Sequence, residues 1–83
     1  MIVSAAIREG SLVYALPAPA RHHDIIRYMV HERSVVPPVK GTQGFIDSDR
    51  GFVGREQAMD IAEAMGQLKE PANSTQLFTE DLW

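Results

Sequence analysis

Apolar and polar positions along the chain pass twice through the same series: two short β-type runs around a turn, then a stretch with helical spacing. Residues 2–8 are mostly small or β-branched and apolar and stop at Glu9-Gly10, after which Leu12-Val13-Tyr14-Ala15-Leu16 follows. Two apolar runs around an Xaa-Gly pair predict a hairpin, because glycine takes the positive φ that a tight turn requires. Pro17 and Pro19 then fix φ and remove backbone donors, so neither a ladder nor a helix continues through them. Over residues 21–31 the apolar positions Ile25, Ile26, Met29 and Val30 fall at i, i+1, i+4 and i+5. That is the stripe of an amphipathic helix of about three turns, with Asp24, Arg27, His31 and Glu32 on its polar side. The stripe ends near Ser34, and Pro37-Pro38 forbids its continuation.

The second round opens after a loop over residues 35–42. Gln43-Gly44-Phe45-Ile46 and Gly51-Phe52-Val53 flank Asp47-Ser48-Asp49-Arg50, which predicts a hairpin with a longer turn. A helix is expected over residues 55–65, its apolar positions Ala58, Ile61, Ala62 and Met65 lying at spacings of three and four. Gly54 serves as its N-cap, Gln57 stands where a side chain can reach back, and Gly66 provides the stop. A polar connector over residues 71–75 leads to Leu77-Phe78-Thr79-Glu80-Asp81-Leu82-Trp83, a terminus apolar enough that it is expected to dock, in this subunit or a neighbour. The order ββαββα predicts an α+β fold: one antiparallel sheet with two helices packed on one face. The two halves echo each other in order but share no residue-level repeat.

Length makes this one domain over residues 1–83, with a ββα unit (1–34), a loop (35–42), a second ββα unit (43–68) and a docking segment (69–83). A domain of 83 residues has a thin core, burying only about 60% of its unfolded surface, and a partner subunit is a common remedy. No cysteine is present to form a disulfide or a thiolate metal site. No apolar run approaches the roughly 20 residues that cross a bilayer, and the first residues lack the basic start of a signal peptide. The net charge of −3 argues against general nucleic-acid binding, which leaves a basic footprint. A soluble, cytoplasmic protein is expected.

Arg21-His22-His23-Asp24 is the main candidate for chemistry. A helix start offers unsatisfied N–H groups and the positive end of the dipole, which suit phosphate or carboxylate. Arg21 adds a planar five-donor fork; His22 and His23 can donate or stack on a base. The plainer alternative is that His22 packs on the Ile25/Ile26/Met29 face and Asp24 is an ordinary first-turn acid. Adjacent histidines point about 100° apart on a helix, and their spacing to His31 matches no zinc signature, so no metal or cofactor is expected. Asp47-Ser48-Asp49-Arg50-Gly51 begins like a calcium loop but lacks the remaining ligands, and a turn explains it. Arg50 and Arg55 are available as anion contacts, although Arg50 reads equally as a solvated turn residue. Gln43 and Phe45 flank Gly44, where a ligand could approach the backbone while the ring stacks; a core role for Phe45 is the alternative. No nucleophile–base pair or Gly-rich phosphate loop is present.

Taken together, the opening Ile2-Val3-Ser4-Ala5-Ala6-Ile7, Arg21-His22 before an apolar helix, Gln43-Gly44-Phe45-Ile46, the stretch from Arg50-Gly51-Phe52-Val53-Gly54-Arg55 to Ala58, Ala64-Met65-Gly66-Gln67 and the terminal Leu77-Phe78-Thr79-Glu80-Asp81-Leu82-Trp83 resemble a family of short phage- and prophage-encoded proteins. The pattern covers nearly the whole chain. Gly54 stands where an Asp or similar cap is usual, and Met65 replaces a smaller residue. The resemblance implies a phage protein acting in the host cytoplasm. Proteins of this size in phage accessory regions are often anti-defence factors, some resembling oligomeric sponges for nucleotide immune signals. The expectation is therefore a non-enzymatic homo-oligomer that binds a small anionic, nucleotide-like ligand through Arg21, His22 and His23, supported by Gln43, Phe45 and Arg50. A protein-binding inhibitor of a host defence enzyme, acting through the acidic surface or residues 77–83, and a small hydrolase using His22 or His23 are the rival readings.

Overall fold

The computed structural model describes all 83 residues. Strand β1 (Ile2–Glu9) turns through Gly10-Ser11 into β2 (Leu12–Ala15). The turn falls one residue later than the Glu9-Gly10 pair suggests. Glu9 still pairs with Leu12, and Gly10, at φ 63°, is the first of two turn residues, where a glycine matches the twist of the flanking strands. Helix α1 (His22–Glu32) follows, with Arg21 as its N-cap. The second round comprises β3 (Thr42–Asp47), β4 (Gly51–Gly54) and α2 (Arg55–Ala64). Asp47 belongs to β3 and pairs with Gly51, so the connection is the three residues Ser48-Asp49-Arg50, with Gly51 at φ 79°. Asp47 holds the turn together. Its enclosed carboxylate accepts from the Asp49 and Arg50 amides at 3.1 and 3.0 Å and from the Met1 ammonium at 2.8 Å, and that ammonium contact chiefly lowers its pKa.

The fold is α+β in the order ββαββα, with one antiparallel sheet ordered β2-β1-β3-β4. The two hairpins thus join through their first strands, Ile7 opposite Gln43 and Ala5 opposite Phe45. Alternation along the strands sends Ala5, Ile7, Phe45 and Val53 to one face, where Ile25 and Met29 of α1 and Ala58, Met59 and Ala62 of α2 close a single core. On α2 the buried set differs from the expected one. Ala58 and Ala62 let the helix lie close to the sheet and Met59 fills the space beside them, while Met65 lies past the last turn and is 56% exposed. A bulge between Ile2 and Ser4 leaves the Ile2 backbone to Gln67, whose side-chain amide accepts from its N–H and donates to its carbonyl, both at 2.8 Å. The Gln67 amide stands in for a neighbouring strand.

The C-terminal segment docks on its own chain. Leu77 is fully buried in the core, and a 3₁₀ turn, Thr79–Asp81, follows it. The opposite face of the sheet carries no helix. There Phe52 lies across Gly44, and the Arg8 guanidinium stacks 4.9 Å above the Phe52 ring. No helix is long and apolar enough to cross a membrane.

Two substitutions test this packing. A Cβ at Gly44 would collide with the Val53 carbonyl oxygen and come within 2.7 Å of the Phe52 ring, whereas one at Gly54 would meet open space. Gly44→Ala is therefore expected to cost about 1–3 kcal/mol in chemical denaturation, and Gly54→Ala much less. Leu77→Ala empties a core site and is expected to cost about 2–5 kcal/mol, a loss that a merely tethered tail would not produce.

Candidate functional site

The two helices start near the middle of the sheet and diverge. α1 runs towards the β1–β2 turn, bringing Arg33 over Tyr14, and α2 runs towards the β3–β4 turn, bringing Ile61 and Ala64 beside Arg50. Their first residues, His22 and Arg55, consequently line one cleft of about 210 Å³ together with Arg21, His23, Gln43, Phe78, Thr79 and Glu80. Arg21, His22, His23 and Gln43 are thus brought together. Phe45 and Arg50 are not brought to this cleft. Phe45 is sealed in the core, because strand alternation turns it beneath the helices, and Arg50 lies at the far end of α2 beside Gln57 and Asp60.

His22, Arg55 and Arg21 are each held by a partner distant in sequence. His22 is 8% exposed. Its Nε2 donates to the Gly44 carbonyl oxygen at 2.8 Å, and its ring meets Phe45 edge-on, centroids 5.2 Å apart at 83°. Arg55 donates through Nη1 to the Leu77 carbonyl at 2.7 Å and through Nη2 to Gln43 Oε1 at 2.5 Å, and it stacks 4.6 Å over Phe78. The Leu77 amide returns a hydrogen bond to the Arg55 carbonyl at 3.0 Å. Arg21 donates to the Trp83 carbonyl and lies 3.4 Å from Glu80. Asp24 is structural, since its carboxylate accepts from the Arg21 amide at 2.8 Å and so satisfies the N-cap. The His22 and His23 amides have no partner in the chain and remain at the positive end of α1.

Electrostatics separates the roles. Burial is the largest influence on His22 and lowers its pKa; Arg55 acts in the same direction, while the Gly44 bond and Glu80 oppose it. The ring is neutral at physiological pH. Burial also lowers the pKa of Arg55, but a guanidinium stays charged throughout the range in which proteins are folded. Glu80 is held below the usual carboxylate range, chiefly by the Thr79 hydroxyl at 2.8 Å and further by Arg21 and Arg55. Two guanidiniums and one carboxylate leave the cleft cationic in a chain of net charge −3. Phe78, Thr79 and Glu80 are members of the site that the sequence pattern does not single out. Their signal is the apolar terminus itself, since a segment that docks brings its polar residues along.

A two-hairpin α+β domain with a cationic cleft between its helix starts is the class that fold and site define. Across residues 1–83 the chain matches the family model of the phage T4 y16D protein, and it belongs to that family. It is a short protein of phage type, as the resemblance implies. No curated protein and no solved structure matches it.

The neutral His22 has a consequence for stability. Folding lowers its pKa from the ordinary 6.5, so the unfolded chain takes up a proton first as the pH falls. The stability tied to the neutral ring is complete above about pH 6.5 and is lost on acidification. Asp24, Asp47 and Glu80, with lowered carboxyl pKa values, lose theirs only further down, below about pH 4.5. Between about pH 7 and 5 the melting temperature is therefore expected to fall, and to fall less in His22→Gln; equal slopes would refute the assignment.

Proposed function

We propose that the protein binds a small anionic, nucleotide-type ligand in the cleft between its helix starts and holds it without turning it over. In a phage, such capture would serve to sequester a nucleotide immune signal of the host. The observation that carries this reading is the convergence of Arg21, Arg55, His22 and His23 on one cleft, with the His22 and His23 amides unpaired in the chain. Backbone N–H groups at a helix start and forked guanidiniums are the groups that recognise phosphate oxygens. Family membership supports the phage setting.

Size refines the reading. A cleft of about 210 Å³ is smaller than the roughly 300–1,000 Å³ of sites that enclose whole small molecules. One chain accommodates a phosphate and the sugar or base edge next to it, and a second copy would cover the remainder. A homo-oligomer is therefore part of the proposal, supported also by the helix-free face of the sheet, where Val3 and Val13 are exposed. An inhibitor acting through residues 77–83 is less favoured because that segment is already engaged by Arg21, Arg55 and the core.

Calorimetric titration with cyclic dinucleotides and ADP-ribose derivatives tests the proposal. Binding is expected in the panel, weakened about 10- to 100-fold by Arg21→Ala, the scale of a lost hydrogen bond from a charged group. Silence across the panel, or full affinity in Arg21→Ala, would overturn it, and turnover of a bound compound would replace capture by hydrolysis.

A further inference from the structure

We propose that His22 is the residue by which the cleft distinguishes a nucleotide from a bare anion, by accepting a hydrogen bond from a hydroxyl or amino group next to the ligand's phosphate. This rests on the anion-binding reading of the same cleft and adds the ligand feature that the cleft selects. The starting point is the Gly44 carbonyl oxygen, 2.8 Å from His22 Nε2. A carbonyl can only accept, so Nε2 carries a proton, and a neutral imidazole has only one. Nδ1 is left as a bare lone pair. It has no partner in the chain and is not fully enclosed, and the ring that carries it lines the cleft.

The ring cannot readily turn over. It is 8% exposed and wedged edge-on against Phe45, and turning it over would surrender the Gly44 bond. Burial and the nearby Arg55 also oppose a second proton, which would convert the acceptor into another cation. The cleft therefore offers two kinds of recognition side by side. Arg21, Arg55 and the His22 and His23 amides only donate and meet phosphate oxygens. Nδ1 only accepts and meets a sugar hydroxyl or a base amino group. Sulfate has oxygen acceptors and nothing for Nδ1, so a bound sulfate leaves that acceptor unpaired, whereas a nucleotide carries both features within the length of one sugar.

The test uses ADP-ribose and sulfate as probes, with two variants of the full chain. His22→Gln keeps an N–H that can reach the Gly44 carbonyl and removes the acceptor at the δ position. His22→Asn places a carbonyl oxygen near the δ position and removes the bond to Gly44. Wild type is expected to bind ADP-ribose more tightly than sulfate. His22→Gln is expected to lower the ratio of ADP-ribose to sulfate affinity about 10- to 100-fold, the scale of one unmade hydrogen bond at a partly enclosed acceptor. His22→Asn is expected to recover part of the preference. If both probes bind and His22→Gln leaves their ratio unchanged, the inference is overturned and the anion-binding reading stands; if wild type binds neither, both fall. Nitrogen-15 NMR of the His22 ring gives a second readout that needs no ligand. A proton on Nε2 and a bare Nδ1 are expected, and the opposite tautomer would overturn the inference by itself.

Discussion

The backbone of Gly44 is the constraint on which the arrangement depends. Its residue pairs with Ala6 on one side and Gly54 on the other, at the junction of the two hairpins. The missing Cβ lets Phe52 lie across the strand on the open face, where Arg8 stacks upon it. The carbonyl of the same residue accepts from His22 and fixes the start of α1 over the sheet. One small residue thereby sets the packing of one face and the position and tautomer of a cleft residue on the other.

From that anchor the cleft is assembled by reciprocal ties. Arg55, first residue of α2, is held by the Gln43 side chain and the Leu77 carbonyl, while Leu77 returns its amide to the Arg55 carbonyl and buries its side chain in the core. A buried hydrophobic anchor and paired backbone bonds fix the segment more firmly than the exposed Arg21–Glu80 ion pair, which at 3.4 Å with a largely exposed glutamate contributes about 0–1 kcal/mol at most. Both arginines hold the terminus, Arg55 through the Leu77 carbonyl and Arg21 through the Trp83 carbonyl. Glu80, drawn towards them by charge, occupies the same cleft that an incoming anion would use.

Much of the fold is legible in the sequence. Alternation in residues 2–8 and 43–46, the i, i+1, i+4 stripe of α1 and the breaks at Pro17, Pro19 and Gly66 are local signals, readable because strand and helix periods act over a few residues. The departures come where long-range packing decides the outcome. Asp47 reads as a turn former and its carboxylate does accept the Asp49 and Arg50 amides of the turn, but the Met1 ammonium it also holds comes from the far end of the chain. Met65 belongs to the apolar stripe, yet the helix ends before it can reach the sheet.

For the site, the sequence by itself determined that Arg21, His22 and His23 stand at a helix start, that an apolar terminus follows a polar connector, and that no cysteine or signature nucleophile is present. Only the tertiary structure decided that the second helix start meets the first, that residues 78–80 close the cleft between them, and that the His22 ring is buried and donates to the Gly44 carbonyl. The reason is one of range. Capping and periodicity are settled among near neighbours, whereas the bonds that shape the cleft join residues 22 and 44, 55 and 77, and 21 and 83, separations that no local pattern encodes.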